Sequence, residues 1–115
     1  MHRYKELDVW KRSMALAKSI YDLTSEFPDE EKFGIISQMR RSSVSVPSNI
    51  AEGAGRNGNK EFANFLGIAM GSLFELETQV LLSKEIGLAK VEVGDLVDEI
   101  QSISNMIYKL RNNLN

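Results

Sequence analysis

The side chains that could carry out chemistry lie mainly between residues 38 and 85. Glu52, Glu75 and Glu77 could act as a paired acid and base, or bind a metal ion, if facing helices brought them together. A di-metal site in a helical bundle uses Glu-x-x-His motifs, however, and the single histidine of the chain is His2. The absence of cysteine excludes disulfides and thiolate ligands. We therefore predict no catalytic residue, no metal ion and no cofactor, and a protein that is not an enzyme.

Positive charge is concentrated in one segment of an otherwise acidic chain. The net charge is −2, yet residues 32–60 contain five cations and one anion, a local charge of +4. Residues 61–86 contain one cation and four anions. This segregation favours binding to nucleic-acid phosphates, RNA or DNA, mainly through electrostatic attraction and with weak sequence specificity. The predicted nucleic-acid-binding residues are Arg40, Arg41, Arg56 and Lys60.

Two alternatives to nucleic-acid binding stay open at this point. Arg40 and Arg41 could instead form ion pairs with Glu75 and Glu77 at an interface between helices. The protein could also be an oligomeric scaffold or adaptor for another protein. The sequence places few aromatic residues among the cations, so it does not indicate a platform for stacking bases.

Two stripes of small or polar residues predict close contacts between helices. The first recurs every third or fourth position from Gln38 to Arg56 and suits neither a solvated face nor an apolar core. The second has four-residue spacing, and its two glycines each cost a helix about 1 kcal/mol relative to alanine. We therefore expect another backbone to approach there, within the bundle or from a second copy, while a ligand or nucleic-acid groove is the alternative. The predicted oligomer interface comprises Ser45, Asn49, Glu52, Ala63, Gly67, Gly71 and Glu75.

Helical periodicity recurs in four segments, and no strand is indicated. Their expected ranges are Asp8–Phe27, Asp29–Gly53, Lys60–Ile86, and a last segment from residues 91–95 to Asn113. Asp8 and Asn59 are candidate N-caps, and Gly87 is placed to end the third helix. Pro47 predicts a kink in a continuous second helix, with two separate helices as the alternative.

The apolar positions of these segments predict which faces are buried. The expected seam of the first helix is Trp10, Met14, Ala17, Ile20, Leu23 and Phe27. The expected seam of the second is Phe33, Ile36, Met39, Ser43, Val46, Ile50 and Gly53. In the third it is Phe62, Phe65, Leu66, Ala69, Leu73, Leu76, Val80 and Leu81, and in the fourth Leu96, Ile100, Ile103, Ile107, Leu110 and Leu114.

Length and composition fit one domain, residues 1–115, with a core of its own. Four helices with short connections predict an all-α protein, an up-down-up-down antiparallel four-helix bundle. The first residues are too charged for a signal peptide, and no uninterrupted apolar run approaches about 18 residues. We therefore expect a cytoplasmic protein without a membrane partner.

Several sequence blocks carry a family resemblance that covers essentially the whole chain. They include residues 9–11, Phe27-Pro28, the Arg-Arg-Ser to Ala-Glu-Gly block of residues 40–53, residues 62–66, and the Gly-Ser-Leu-Phe-Glu-Leu-Glu block of residues 71–77. The chain resembles the four helix bundle protein family, also called the 23S ribosomal RNA intervening-sequence proteins. Ser42 and Ser43 are polar where more alanine would be expected of that family.

This resemblance implies a small antiparallel bundle and an assembly of several copies. Family members resemble the accessory subunit of diversity-generating retroelements, and both types are associated with pentameric, barrel-like assembly. The retroelement relative binds nucleic acid and a reverse transcriptase. Many intervening-sequence genes lie within ribosomal RNA genes, a location that does not itself demonstrate RNA binding. We accordingly predict a non-enzymatic homo-oligomer, with a pentamer as the expected number of copies.

Overall fold

The computed structural model describes residues 2–114 and contains four α-helices. They are α1 (Asp8–Thr24), α2 (Ile35–Ala54), α3 (Asn59–Glu85) and α4 (Gly94–Asn112). Two single 3₁₀ turns, Tyr4–Glu6 and Asp29–Glu31, precede α1 and α2. Each helix packs against its neighbours in sequence, and α4 closes on α1. The prediction of an all-α four-helix bundle is confirmed, and residues 2–114 contain no strand.

All four helices contribute to one apolar core. Its fully buried side chains include Ile20 of α1, Met39 of α2, Phe62 of α3 and Ile103 of α4. Burial of one such side chain stabilises the fold by about 1.5–3 kcal/mol relative to leaving it in water. The core therefore fixes the orientation of each helix, and with it the surfaces that the helices present outward.

The buried face of α1 differs in part from the predicted seam. Met14 is 47% exposed, whereas Ser13 and Thr24 are fully buried. These two hydroxyls can occupy core positions because each donates a hydrogen bond to a carbonyl one turn earlier. Ser13 Oγ lies 2.7 Å from the oxygen of Val9, and Thr24 Oγ1 lies 2.8 Å from that of Ile20.

The predicted start of the second helix at Asp29 is wrong. Asp29–Glu31 forms only a 3₁₀ turn, and α2 begins at Ile35. The break lies at Gly34, whose backbone angles (φ −107°, ψ −115°) are not helical. Phe33 is consequently out of register with α2 and is 92% exposed instead of belonging to the buried seam. Pro47 lies inside one continuous α2, so the two-helix alternative is wrong, while the kink stays a prediction.

The two predicted N-caps are also wrong, but the predicted C-terminal glycine is confirmed. Asp8 and Asn59 are the first helical residues of α1 and α3, and no side chain caps either helix. At the other end of α3, Gly87 adopts φ +83°. This left-handed conformation lets the N–H groups of Leu88 and Ala89 donate to the Ser83 carbonyl, at 2.9 and 3.0 Å.

Candidate interaction surfaces

The polar stripe of α2 faces α3 within the same chain. The Ser42 hydroxyl donates a 2.7 Å hydrogen bond to Glu75 Oε1. One turn further along, the Ser72 hydroxyl donates to Ser45 Oγ at 2.9 Å, and Asn49 Nδ2 donates to the same oxygen at 2.9 Å. The predicted close helix contact is therefore present inside the bundle. Within residues 2–114, neither Arg40 nor Arg41 forms an ion pair with Glu75 or Glu77, and such pairs between two copies stay a prediction.

Around these hydrogen bonds, α2 and α3 line an open polar groove of about 390 Å³. Gln79 contributes a buried Oε1 that has no hydrogen-bond partner among the described residues. No group of three or more His, Cys, Asp or Glu side chains within residues 2–114 is arranged to hold a metal ion. The lining residues are Gln38, Arg41, Ser42, Ser45, Ser72, Glu75 and Gln79.

Among the glycines of residues 2–114, Gly53 has the tightest surroundings, tighter than Gly67 and Gly71 of the predicted stripe. A Cβ atom on Gly53 would lie 2.6 Å from Cβ of Phe65 and 3.0 Å from Cδ1 of Phe62. Such distances are well below van der Waals contact, so only glycine fits. In the sequence, Gly53 ends the apolar seam that includes Val46 and Ile50. A glycine at a seam position was the available signal for close packing there.

The three small residues of the predicted α3 stripe differ in how far the rest of the chain covers them. Ala63 is half-buried against the core. A Cβ on Gly67 would lie 3.3 Å from Nη2 of Arg111, so the Arg111 side chain of α4 covers this glycine. At Gly71 no atom would lie within 4 Å of an added Cβ. Within one chain, therefore, only the Gly71 part of the stripe is open to a partner.

The outward side of α3 is apolar over several turns. We call Ile68, Gly71, Phe74, Thr78 and Leu82 the outer face of α3, because these residues recur at helical spacing and all are exposed. An 18-residue window of α3 has a mean hydropathy of 1.3, and only 28% of it is buried. By length and composition alone α3 could thus cross a membrane, and it is the one helix of residues 2–114 that could.

Arg40 and Arg41 are adjacent in sequence but have different environments. The Arg40 guanidinium stacks 4.5 Å from the ring centre of Tyr21, and its Nε donates to Thr24 Oγ1 at 2.9 Å. Arg40 therefore ties α2 to α1. Arg41 is exposed and lines the polar groove. Neither arginine forms an ion pair with a carboxylate of residues 2–114.

The other two predicted cations lie at the far end of α2. Arg56 is bound by Glu52 at 2.9 Å and by Glu61 at 3.9 Å, and it stacks on Phe65. Lys60 is exposed and has no ion-pair partner within the described chain. Arg41 and Arg56 are fifteen residues apart, or about 22 Å along a helix. The four cations thus form two separate groups in one chain, not one continuous patch.

An ion pair that the sequence did not reveal joins α1 to α4. Arg12 donates to both oxygens of Glu99, and Nη2 also donates to Ser102 Oγ at 2.9 Å. The hydrogen bond to Glu99, with the negative charges of Glu99 and Asp8, raises the pKa of the Arg12 guanidinium. Because the partners are 87 residues apart, no local spacing could have identified them.

Comparison with known proteins identifies relatives of this chain. The profile of the 23S rRNA-intervening sequence proteins matches residues 5–109. The chain belongs to this family. It is also similar to a solved protein of unknown function from the S23 ribosomal protein family of Bacteroides thetaiotaomicron, with 27% identity and a TM-score of 0.70. That similarity covers 90% of this chain and 94% of the other.

No curated protein matches the chain. The family assignment confirms the resemblance seen in the sequence, and neither comparison indicates an enzymatic activity. The relationship to the retroelement accessory subunit stays a prediction, as do the number of copies and the cytoplasmic location.

Proposed function

We propose that this protein is a non-enzymatic helical bundle that works as an assembly of several copies, held together through the outer face of α3. The observation that carries the proposal is the exposure of large apolar side chains along this face. Phe74 is 57% exposed, Ile68 52% and Leu82 48%. A row of such residues on one helix exceeds the scattered apolar exposure of monomeric proteins and is typical of interaction sites.

The residues around this face also favour a protein partner over a lipid bilayer. Gly71 lies at its centre with nothing within 4 Å of an added Cβ, so another helix could approach the backbone closely. Glu75 and Glu85 are exposed beside the apolar residues. Carboxylates at the hydrocarbon level of a bilayer are costly, whereas at the rim of a protein interface they stay hydrated.

Light scattering coupled to size exclusion tests this proposal. The wild-type chain, 12.9 kDa, is expected to elute with the mass of several copies at tens of micromolar, and Phe74→Arg is expected to elute as a monomer. Phe33→Arg is the matched control, because Phe33 is 92% exposed and belongs to the segment before α2, not to α3. A monomeric wild type, or one that partitions onto liposomes instead of assembling, would rule the proposal out.

As a second function, we propose that the assembly binds nucleic acid electrostatically. The supporting observation is that Arg41 and Lys60 are exposed and lack carboxylate partners among residues 2–114. A family named for an intervening sequence in ribosomal RNA is consistent with such a role. One chain offers only two separate groups of cations, so repetition in the assembly would be needed to build a longer basic track. If no nucleic acid binds, the assembly is better described as a protein scaffold or adaptor.

A further inference from the structure

We infer that the polar groove between α2 and α3 binds a free α-amino acid, with the carboxylate of the ligand at Arg41 and its ammonium group at Glu75. One chain builds the whole groove, so this inference depends neither on the proposed assembly nor on nucleic-acid binding. The volume of about 390 Å³ lies near the lower end of the range for small-molecule sites, about 300–1,000 Å³, and therefore suits a small ligand.

Two side-chain hydrogen bonds fix how the walls of the groove face each other. The Ser42 hydroxyl donates to Glu75 Oε1 at 2.7 Å, and the Ser72 hydroxyl donates to Ser45 Oγ at 2.9 Å. Residue numbers rise along one helix as they fall along the other, so α2 and α3 are antiparallel here. Ser42 is buried, and its hydrogen bond holds the Glu75 carboxylate in place before any ligand arrives.

Two opposite charges line this groove without neutralising each other. Arg41 projects from α2 and Glu75 from α3, yet Arg41 forms no ion pair within residues 2–114. Glu75 accepts from Ser42 through Oε1 alone, and its Oε2 has no hydrogen-bond donor among these residues. A ligand that carries both charges can satisfy the guanidinium group and this oxygen together, through charge-assisted hydrogen bonds.

The amide of Gln79 also favours a ligand with several N–H donors. Its Oε1 is buried and has no hydrogen-bond partner within the described part of the chain. A buried acceptor that stays unpaired costs free energy. Gln79 lies one helical turn beyond Glu75, on the same face of α3. An ammonium group has three N–H donors, so it can serve both the carboxylate and the amide oxygen.

The residue types of the lining disfavour other classes of ligand. Every lining side chain is polar or charged, so a nucleobase or a lipid chain would find no aromatic or apolar surface to pack on. The Glu75 carboxylate would repel the phosphates that an arginine otherwise attracts. One carboxylate also falls short of the oxygen ligands that a divalent cation requires. A small zwitterion whose side chain is polar satisfies all of these conditions.

Isothermal titration calorimetry on the wild-type protein tests this inference. L-serine and L-glutamine are the first probes, because their side chains are polar, and the other common amino acids follow. Saturable binding of one molecule per chain is expected, with a Kd of about 1 mM or tighter. N-acetyl-L-serine lacks the ammonium charge and L-serinamide lacks the carboxylate. Each is therefore expected to bind at least about tenfold more weakly than L-serine.

Substitutions in the groove assign the two charged contacts. Glu75→Gln removes the negative charge but keeps an oxygen that can accept from Ser42, and Arg41→Gln removes the positive charge. Each is expected to weaken the binding of L-serine by about tenfold or more. Glu85→Gln and Lys60→Gln make the matching changes of charge at exposed positions outside the groove, and they should leave the affinity unchanged. Circular dichroism verifies that all four variants fold.

Three results would each overturn the inference. The first is the lack of saturable binding by any amino acid up to about 10 mM. The second is an affinity that both Glu75→Gln and Arg41→Gln leave intact. The third is equal affinity for L-serine and N-acetyl-L-serine, because a zwitterion would then not be required. None of these readouts depends on the mass of the protein in solution, so failure here leaves the proposed assembly to its own test.

Discussion

Arg12 of α1 and Glu99 of α4 form a two-point ion pair that closes the bundle between its first and last helices. The side chains are 40% and 34% exposed, so solvent screens part of their attraction. Ser102 accepts a further hydrogen bond from Arg12 Nη2, at 2.9 Å. The planar guanidinium can satisfy both carboxylate oxygens at once, which an ammonium group cannot do.

We expect a double-mutant cycle on Arg12→Ala and Glu99→Ala to give a coupling energy of about 0.5–1 kcal/mol, in the upper range for partly exposed pairs. Urea denaturation followed by circular dichroism measures it. Lys18 and Asp22, an exposed pair one turn apart at 3.0 Å, form the control cycle and should couple more weakly. Equal coupling in the two cycles would show that the two-point geometry adds nothing.

Titration of Arg12 should not change the coupling energy of this ion pair over the usual pH range. Folding raises the pKa of Arg12, so its contribution is complete below the pKa of the unfolded chain and is lost only as pH rises through the higher folded value. Coupling measured at neutral pH and at about pH 10 should agree, since both lie below the arginine pKa. A marked decrease at the higher pH would contradict this assignment.

The contact between Gly53 and Phe65 predicts opposite effects for two similar substitutions. Gly53→Ala should destabilise the chain by about 1–3 kcal/mol, because the new Cβ forces α2 and α3 apart. Gly71→Ala should stabilise it by up to about 1 kcal/mol, because Cβ there meets no atom and alanine is the better helix former. Both changes in the free energy of unfolding are best measured by urea denaturation in the Phe74→Arg background, where assembly does not contribute. A free energy of unfolding for Gly53→Ala equal to that of the chain with Gly53 would refute the close contact.

Nucleic-acid binding should depend steeply on salt if the cations act as proposed. The logarithm of the affinity is expected to fall with the logarithm of salt concentration, with a slope of about −0.7 to −0.9 per phosphate neutralised. Fluorescence anisotropy with single- and double-stranded RNA and DNA measures this, starting near about 50 mM salt.

Charge reversal identifies the residues responsible. Arg56→Glu with Lys60→Glu should abolish binding while the assembled mass is unchanged, and Lys60 should account for more of the loss because Glu52 and Glu61 already neutralise Arg56. Lys18→Glu, at an exposed cation that already pairs with Asp22, is the control and should change binding little. No binding by the wild type to any of these nucleic acids would favour the scaffold function.

The order and type of the helices followed from sequence because they depend on local properties. Apolar residues at helical spacing place Ile36, Met39, Val46 and Ile50 on one buried face, and Gly87 ends α3 because it tolerates positive φ. The segregation of charge between residues 32–60 and 61–86 could also be read directly from the chain. These features need no knowledge of which helix packs against which.

Only the tertiary structure decided which partner each face meets. The serine stripe of α2 was recognisable as unusual in the sequence. The hydrogen bond from Ser42 to Glu75 of the same chain, however, depends on how α2 and α3 are positioned around the core. Gly67 and Gly71 have the same local spacing, yet Arg111 covers one and leaves the other open. Phe33 fits the apolar pattern but is exposed, because the break at Gly34 separates it from α2. Met14 also fits the pattern but is exposed, and the neighbouring Ser13 is buried in its place. Periodicity defines a face, whereas packing between distant segments determines whether that face meets the core, another helix or solvent.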